Sequence, residues 1–242
     1  MCGKHCHLCG RRLWWRGWVY ASNGEGDGQS IVVCRHCHET APRCDVCGLP
    51  MGAQHTCTPD GRRICARCHQ TAVYDLAQAR MLFEWVVSVV SGQLGLRLNV
   101  GADFTLVDDH HLRRLATEAR STMEGPGGDR PERVIGLFVR RGRRRVMYVL
   151  SGLPRILFVQ TVAHEWAHAW QGENCPLLRD PLVREGFAEW VAYKTLQAMG
   201  AVKKMALIEQ GNGLYGEGVR RMLQVEKRHG MHGVLAFCRH AE

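Results

Sequence analysis

Two histidines four residues apart, in His164-Glu165-Trp166-Ala167-His168, are the residues of this chain whose type and spacing point most directly to chemistry. On a helix, positions i and i+4 project from one face about a turn apart, so two imidazoles there can share one ion. Zinc takes histidine nitrogen at about 2.0–2.1 Å and, where it is catalytic, keeps three protein ligands and an open fourth position. Glu165, beside the first histidine, can reach water at such an ion and take its proton. An amphipathic helix with two ordinary histidines would carry the same letters. The third ligand decides between the two.

Glu185 follows 17 residues after His168, in Arg184-Glu185-Gly186-Phe187-Ala188-Glu189 on the next expected helix, and Glu189 lies one turn further. The arrangement is similar to that of the gluzincin peptidases, in which a glutamate on a following helix completes the zinc site. That resemblance makes Glu185 the third ligand and Glu189 the carboxylate that holds a ligating histidine from behind. The two could exchange roles, or form a solvated acidic face. With zinc in place, water would be acidified and a scissile carbonyl polarised. Glu165 would pass the water proton to the leaving amine. Tyr215, in Leu214-Tyr215-Gly216-Glu217-Gly218, and His229 are candidate donors to the developing oxyanion, each equally well read as structural.

The elements that must position these residues are legible in outline. Residues 71–92 read as a helix, 98–107 as a strand, 108–124 as a helix and 125–129 as a glycine-rich loop. Residues 133–139 and 146–150 read as two strands about a turn at Arg141-Gly142, and their edge could take an extended peptide. Residues 153–171 follow a helical period, with Ile156, Val159, Ala163, Ala167 and Trp170 on roughly one face. A second helix over 181–199 is closed by Gly200, and 203–210 and 216–240 read as helical too. The run Arg140-Arg141-Gly142-Arg143-Arg144-Arg145 could grip phosphates, but at a hairpin tip a solvated turn is the commoner outcome.

Twelve cysteines bear on a different chemistry. Eight form four Cys-x-x-Cys pairs, Cys6/Cys9, Cys34/Cys37, Cys44/Cys47 and Cys65/Cys68, a spacing typical of zinc knuckles and unlike a disulfide framework. Paired in order, they give two closed four-thiolate sites, and metal replaces the core that loops of 24 and 17 residues could hardly build. Cys2 and Cys57 are surplus, and Cys175 and Cys238 read as core thiols. His5, His7, His36, His38 and His55 crowd the same region, where any one could substitute for a cysteine. Trp14, Trp15 and Trp18 sit in the first long loop, as a partner-binding patch or as cover over a small zinc core.

Composition is that of a globular protein, 45% hydrophobic and 23% charged. Formal charge is +9; eight thiolates (−8) with three zinc ions (+6) bring it to +7. The excess is spread along the chain, which favours acidic surfaces over a dedicated nucleic-acid groove. The most apolar stretch, 81–98, is interrupted by Glu84 and Arg97 among other polar residues, which argues against a membrane span. Met1-Cys2-Gly3-Lys4-His5 opens with ligand-like residues rather than an apolar leader, and thiolate ligands suit a reducing cytoplasm.

Several stretches together resemble the plant DA-one family of LIM-domain, ubiquitin-activated peptidases. Ala41-Pro42-Arg43-Cys44 runs on to Asp60-Gly61-Arg62-Arg63-Ile64-Cys65-Ala66-Arg67-Cys68. Gly152-Leu153-Pro154-Arg155 leads the helix with Ala163-His164-Glu165-Trp166-Ala167-His168-Ala169-Trp170, and Val183-Arg184-Glu185-Gly186 and Tyr215-Gly216-Glu217-Gly218 follow in the same order. By that resemblance, which reaches from about residue 40 to the end of the chain, His164, His168 and Glu185 would bind zinc and Glu165 would be the base. The linker 38–43 is longer than the two-residue LIM linker, and Cys37 stands where the family tends to have histidine. Nothing resembles the family's ubiquitin-interacting motifs, so neither ubiquitin regulation nor substrates carry over.

The expectation is thus an α+β chain. A LIM-like or zinc-ribbon double-finger module spans 1–70, and a mostly helical, gluzincin-like metallopeptidase domain with a small sheet spans 71–242, entered by a linking helix over 71–95. One catalytic and two structural zinc ions are implied, with a protein or peptide substrate and a possible protein partner at the zinc module. An inactive zinc-ribbon adaptor, binding protein or nucleic acid, is the main alternative. A metallohydrolase of a non-peptide substrate is a third.

Overall fold

The computed structural model of the chain describes residues 5–14, 17–20, 30–121, 134–142 and 144–241; Cys2, Trp15, the 125–129 stretch and Arg143 lie outside them. Two compact units form: Met1–Ala72 with Gly152–Pro154, and Val73–Ser151 with Arg155–Glu242.

The first unit repeats one small pattern. A cysteine knuckle (Cys6 N–H to Arg11 O, Gly10 N–H to Cys6 O) precedes the antiparallel strands β1 (Trp18–Tyr20) and β2 (Ile31–Val33) and the short helix α1 (Arg35–Thr40). A second knuckle (Cys44 N–H to Leu49 O, Gly48 N–H to Cys44 O) precedes β3 (His55–Cys57), β4 (Arg63–Cys65) and α2 (Ala66–Gln70). Cys34 and Cys65 are the N-cap residues of the two helices, so Cys37 and Cys68 come round in the first turn to face them. Among the described residues, two small clusters of buried hydrophobic residues form. One cluster is Cys6, Ile31, Val33, Cys34 and Cys37; the other is Cys44, Met51, Ile64 and Cys68. Cysteine supplies half or more of each core.

Strand β5 (Ala72–Val73) carries the chain into the second unit. Asp75 caps α3 (Leu76–Gly92) by accepting from Gln78 N–H at 2.7 Å, which starts the helix later than its apolar period implies. Strand β6 (Asp103–Val107) is shorter than the expected 98–107, because Asn99 N–H is taken by Glu173 Oε2 at 2.8 Å instead of a ladder partner. After α4 (Asp109–Ser121), β7 (Gly136–Arg141) and β8 (Arg144–Leu150) complete a sheet of order β6-β8-β7, with β8 parallel to β6 and antiparallel to β7. Arg145, from the basic run, is not a free phosphate grip: it is half-buried, pairs with Glu173 and donates to Val100 O at 3.0 Å.

Strand β9 (Leu153–Pro154) counts with the first unit, and four helices follow: α5 (Arg155–Asn174), α6 (Pro181–Ala198), α7 (Val202–Glu209) and α8 (Gly213–His240), the last broken at Gly230. Pro181 sits in the first turn of α6, and Asp180 accepts from Leu182 N–H at 2.8 Å, which fixes where that helix begins. Residues 185–192 of α6 are buried without exception, so this helix is central rather than amphipathic. Trp170, Phe187, Trp190, Leu196 and Met222 fill the core around it. Two carboxylates, Glu185 and Glu189, lie inside that apolar stretch. Buried charges persist only when paired or bound to metal.

Candidate metal centre

The helix α5 turns His164 and His168 to one side, with Nε2 atoms 3.1 Å apart. Glu185 of α6 places Oε2 3.4 Å from each of them. Donors at 2.0–2.1 Å from a tetrahedral ion stand about 3.3–3.4 Å from one another, so these three edges suit zinc. The outer ring nitrogens sharpen the argument. His164 Nδ1 lies 3.2 Å from Glu189 Oε2, and His168 Nδ1 lies 2.9 Å from Gln171 Oε1. Both partners accept, so each neutral ring carries its proton on Nδ1 and turns an Nε2 lone pair inward. Two lone pairs 3.1 Å apart, beside a carboxylate oxygen, are a donor set for a cation.

Each candidate ligand is held. Glu189 is 6% exposed and accepts from Gln160 Nε2 at 2.7 Å through its other oxygen. Arg184 puts Nε and Nη2 at 3.1 and 3.0 Å from Glu185 Oε1, leaving Oε2 for the histidines. Burial favours a neutral Glu185, but hydrogen bonds from His164 and His168 outweigh it and hold the carboxyl well below the usual range. Burial likewise disfavours charge on His164, yet Glu185 and Glu189 push it up to about 10.

Glu165 follows His164 on α5, and its Oε2 accepts the Phe138 N–H of β7 at 2.9 Å. Strand and helix approach this closely because residue 136 is glycine. A Cβ there would fall 2.3 Å from Thr161 Cγ2 and 3.0 Å from Glu165 Cγ. Behind the motif, Trp166 Nε1 donates to Leu96 O at 2.8 Å and fixes the rotation of α5.

Of the two candidate oxyanion donors, Tyr215 comes to the site, its ring centroid 6.0 Å from that of His164. A second pair of glycines makes this possible. A Cβ on Gly186 would meet Gly218 backbone atoms at 2.6 Å, and one on Gly218 would meet Gly186 Cα at 2.5 Å, so the start of α8 lies directly on α6 beside Glu185. His229 is 14 residues beyond Tyr215 on α8, about 21 Å along a helix axis, and lines a separate groove with Arg228 and Phe237. Sequence spacing did not single out Gln160, Gln171 or Arg184. Gln160 and Gln171, four residues before His164 and three after His168, share its helix face.

The eight paired cysteines gather as the two sets Cys6, Cys9, Cys34, Cys37 and Cys44, Cys47, Cys65, Cys68, the ligand atoms of each set within 4.8 Å of one another. Sγ separations of 3.8 Å (Cys9–Cys34) and 3.9 Å (Cys47–Cys65) match the roughly 3.8 Å edge of a tetrahedron with Zn–S of about 2.3 Å. Burial raises the Cys6 thiol, but N–H groups of Cys34, Cys9 and Leu8 overcome it and bring it down to about 6. Both sets fit zinc in a LIM-like module.

Among curated proteins, the chain is 24% identical over 195 residues to Protein DA1 of Arabidopsis thaliana, covering 67% of this chain and 36% of that protein. It is 25% identical over 193 residues to Protein DA1-related 1 of the same plant, covering 67% and 34%. It is also 25% identical over 195 residues to LIM domain-containing protein HDR3 of Oryza sativa subsp. japonica, covering 67% and 38%. The chain spans about a third of the length of these curated relatives. No family model and no solved structure matches it. Distant homology to DA1 and to LIM-domain proteins, over two thirds of the chain, is what the comparisons establish.

Proposed function

We propose that this chain is a zinc-dependent peptidase acting on protein or peptide substrates. The observation that carries the reading is the convergence of His164 Nε2, His168 Nε2 and Glu185 Oε2 on one point, with Glu165 adjoining His164 in the chain and held by the edge strand β7. His164, His168 and Glu185 would hold the ion, and Glu189 fixes the ring of His164. When bound, zinc supplies a Lewis acid that brings the pKa of water towards ~7 and polarises a carbonyl. Glu165 takes the proton of the attacking water. Its Oε2 is held by the Phe138 N–H, so Oε1 receives the proton and hands it to the leaving amine. The Tyr215 hydroxyl donates to the oxyanion. β7 is an edge strand, and an extended substrate laid along it beside Gly136 is held by main-chain bonds next to the base.

The cysteine sets hold the other two zinc ions in a module that serves protein partners. Trp14 is 78% exposed there, an anchor of the kind interfaces use. An adaptor built on that module alone has no need of Glu165.

Glu165→Gln tests the reading. Glutamine keeps an acceptor for Phe138 but cannot carry the proton. The variant is expected to retain three zinc ions by metal analysis and to lose at least about 100-fold in cleavage of an unfolded protein substrate. Cleavage at the unaltered rate overturns the assignment, and an adaptor keeps its whole function after the change.

A further inference from the structure

Gln171 lies in the last turn of α5 and is 5% exposed. A buried amide must satisfy both ends, and the two ends of this one go to different parts of the metal centre. Oε1 takes the Nδ1 proton of His168 at 2.9 Å. Nε2 donates to the carbonyl of Arg184 at 2.9 Å, the peptide group that precedes Glu185. The same Nε2 lies 3.6 Å from Cys238 Sγ of α8, which closes the space behind it. One side chain therefore touches a ligand on α5 and the backbone beside a ligand on α6.

We infer that Gln171 is a positioning residue that holds the register between the two ligand-bearing helices at the His168 and Glu185 end: it fixes the tautomer of His168 and, through the Arg184 carbonyl, the height at which Glu185 enters. The inference rests on the zinc-site reading above. Its physical basis is geometric. A slide of one helix along the other by one residue's rise, about 1.5 Å, would take Glu185 Oε2 away from both Nε2 atoms, and nearby apolar contacts tolerate such slides better than a hydrogen bond does. Glu189 of α6 also bonds across to α5, at His164 and Gln160, but those bonds cannot reach His168 or the peptide group before Glu185. Arg184 cannot either, since its guanidinium reaches Glu185 and not α5.

Two substitutions separate the two bonds. Gln171→Met has the length and shape of glutamine and neither bond. Gln171→Glu keeps an acceptor for His168 and cannot donate to Arg184 O. Competition with a chelator reads zinc affinity, and the visible spectrum of the cobalt-substituted chain reads ligand geometry. Expected for Gln171→Met is an affinity loss of about 10- to 100-fold at one of three sites, with the two cysteine sites unchanged. Gln171→Glu is expected to recover part of that loss while its cobalt spectrum differs from wild type. Equal affinity and an equal spectrum in wild type and Gln171→Met overturn the inference alone. A wild-type chain that binds only two zinc ions overturns the metal-centre reading, and this inference with it. Where Gln171→Met fails to fold, the spectrum of Gln171→Glu decides: a wild-type spectrum rejects the role.

Discussion

At His164, one imidazole faces two carboxylates, and this fixes how the centre should respond to pH. Burial opposes a charge on the ring, but Glu185 and Glu189 push it up to about 10 from an ordinary 6.5. A raised pKa means that the proton is bound at every pH below about 10, and an entering cation must displace it. Zinc affinity at this site should therefore rise with pH, by about tenfold per unit between pH 6 and 8. Glu185 is already ionised there and adds nothing to the slope. Chelator competition at pH 6, 7 and 8, corrected for the chelator's own protonation, checks this; a flat profile would mean that His164 is neutral in the metal-free chain. The pairing of His164 with His168 was legible because His-x-x-x-His states its own geometry. Gln160 and Gln171 were not. Glutamine in a helix is usually a solvated helix former, and nothing in its letter tells that α6 passes close enough to use both ends of the amide.

Among elements, the contact that most constrains the site is the crossing of α6 and α8 at Gly186 and Gly218. Helix propensity alone predicts that Gly218→Ala stabilises by about 0.5–1 kcal/mol. Here the new methyl would meet Gly186 Cα at 2.5 Å and Leu182 O at 2.8 Å. These are backbone atoms, which cannot rotate aside. Overpacking of this kind costs about 1–3 kcal/mol or more, so the net sign is destabilising and Tm should fall by about 2–10 °C. Glu185 adjoins Gly186, and Tyr215 adjoins the start of α8, so the same substitution should weaken the third zinc. A Tm at or above wild type with three zinc ions retained would show that the helices can part without cost. Sequence periodicity located α5 and α6 well, because apolar residues recur through both. It could not tell that residues 185–192 of α6 are buried on every side, and it assigned 98–107 to a strand where Glu173 takes the Asn99 amide. Each miss has a partner from a distant segment as its cause, which local pattern does not encode.

On the scale of the whole molecule, the two units are built on different physics, and metal removal should separate them. The second unit owns an apolar core in which Trp170, Trp190, Phe158 and Phe187 are fully buried. The first has two small clusters in which cysteine is half or more of the buried set. Closed sites of four thiolates contribute strongly to folding such modules, on the order of 10–16 kcal/mol of binding energy each. On the proposed reading, the centre at His164, His168 and Glu185 would hold its ion with three ligands and an open position, between helices that pack without it. Three zinc ions per chain are therefore expected, and they should leave in order. A mild chelator takes one, abolishing cleavage with little change in circular dichroism. Stronger treatment takes the other two, after which limited proteolysis should cut within 1–72 while 155–242 survives. His164→Ala should begin with two ions and lose the first step only. The ordering fails if the first ion released unfolds the 1–72 segment, or if His164→Ala still holds three, because the weakly held metal would then belong to the cysteines and the histidine pair would have no ion to share.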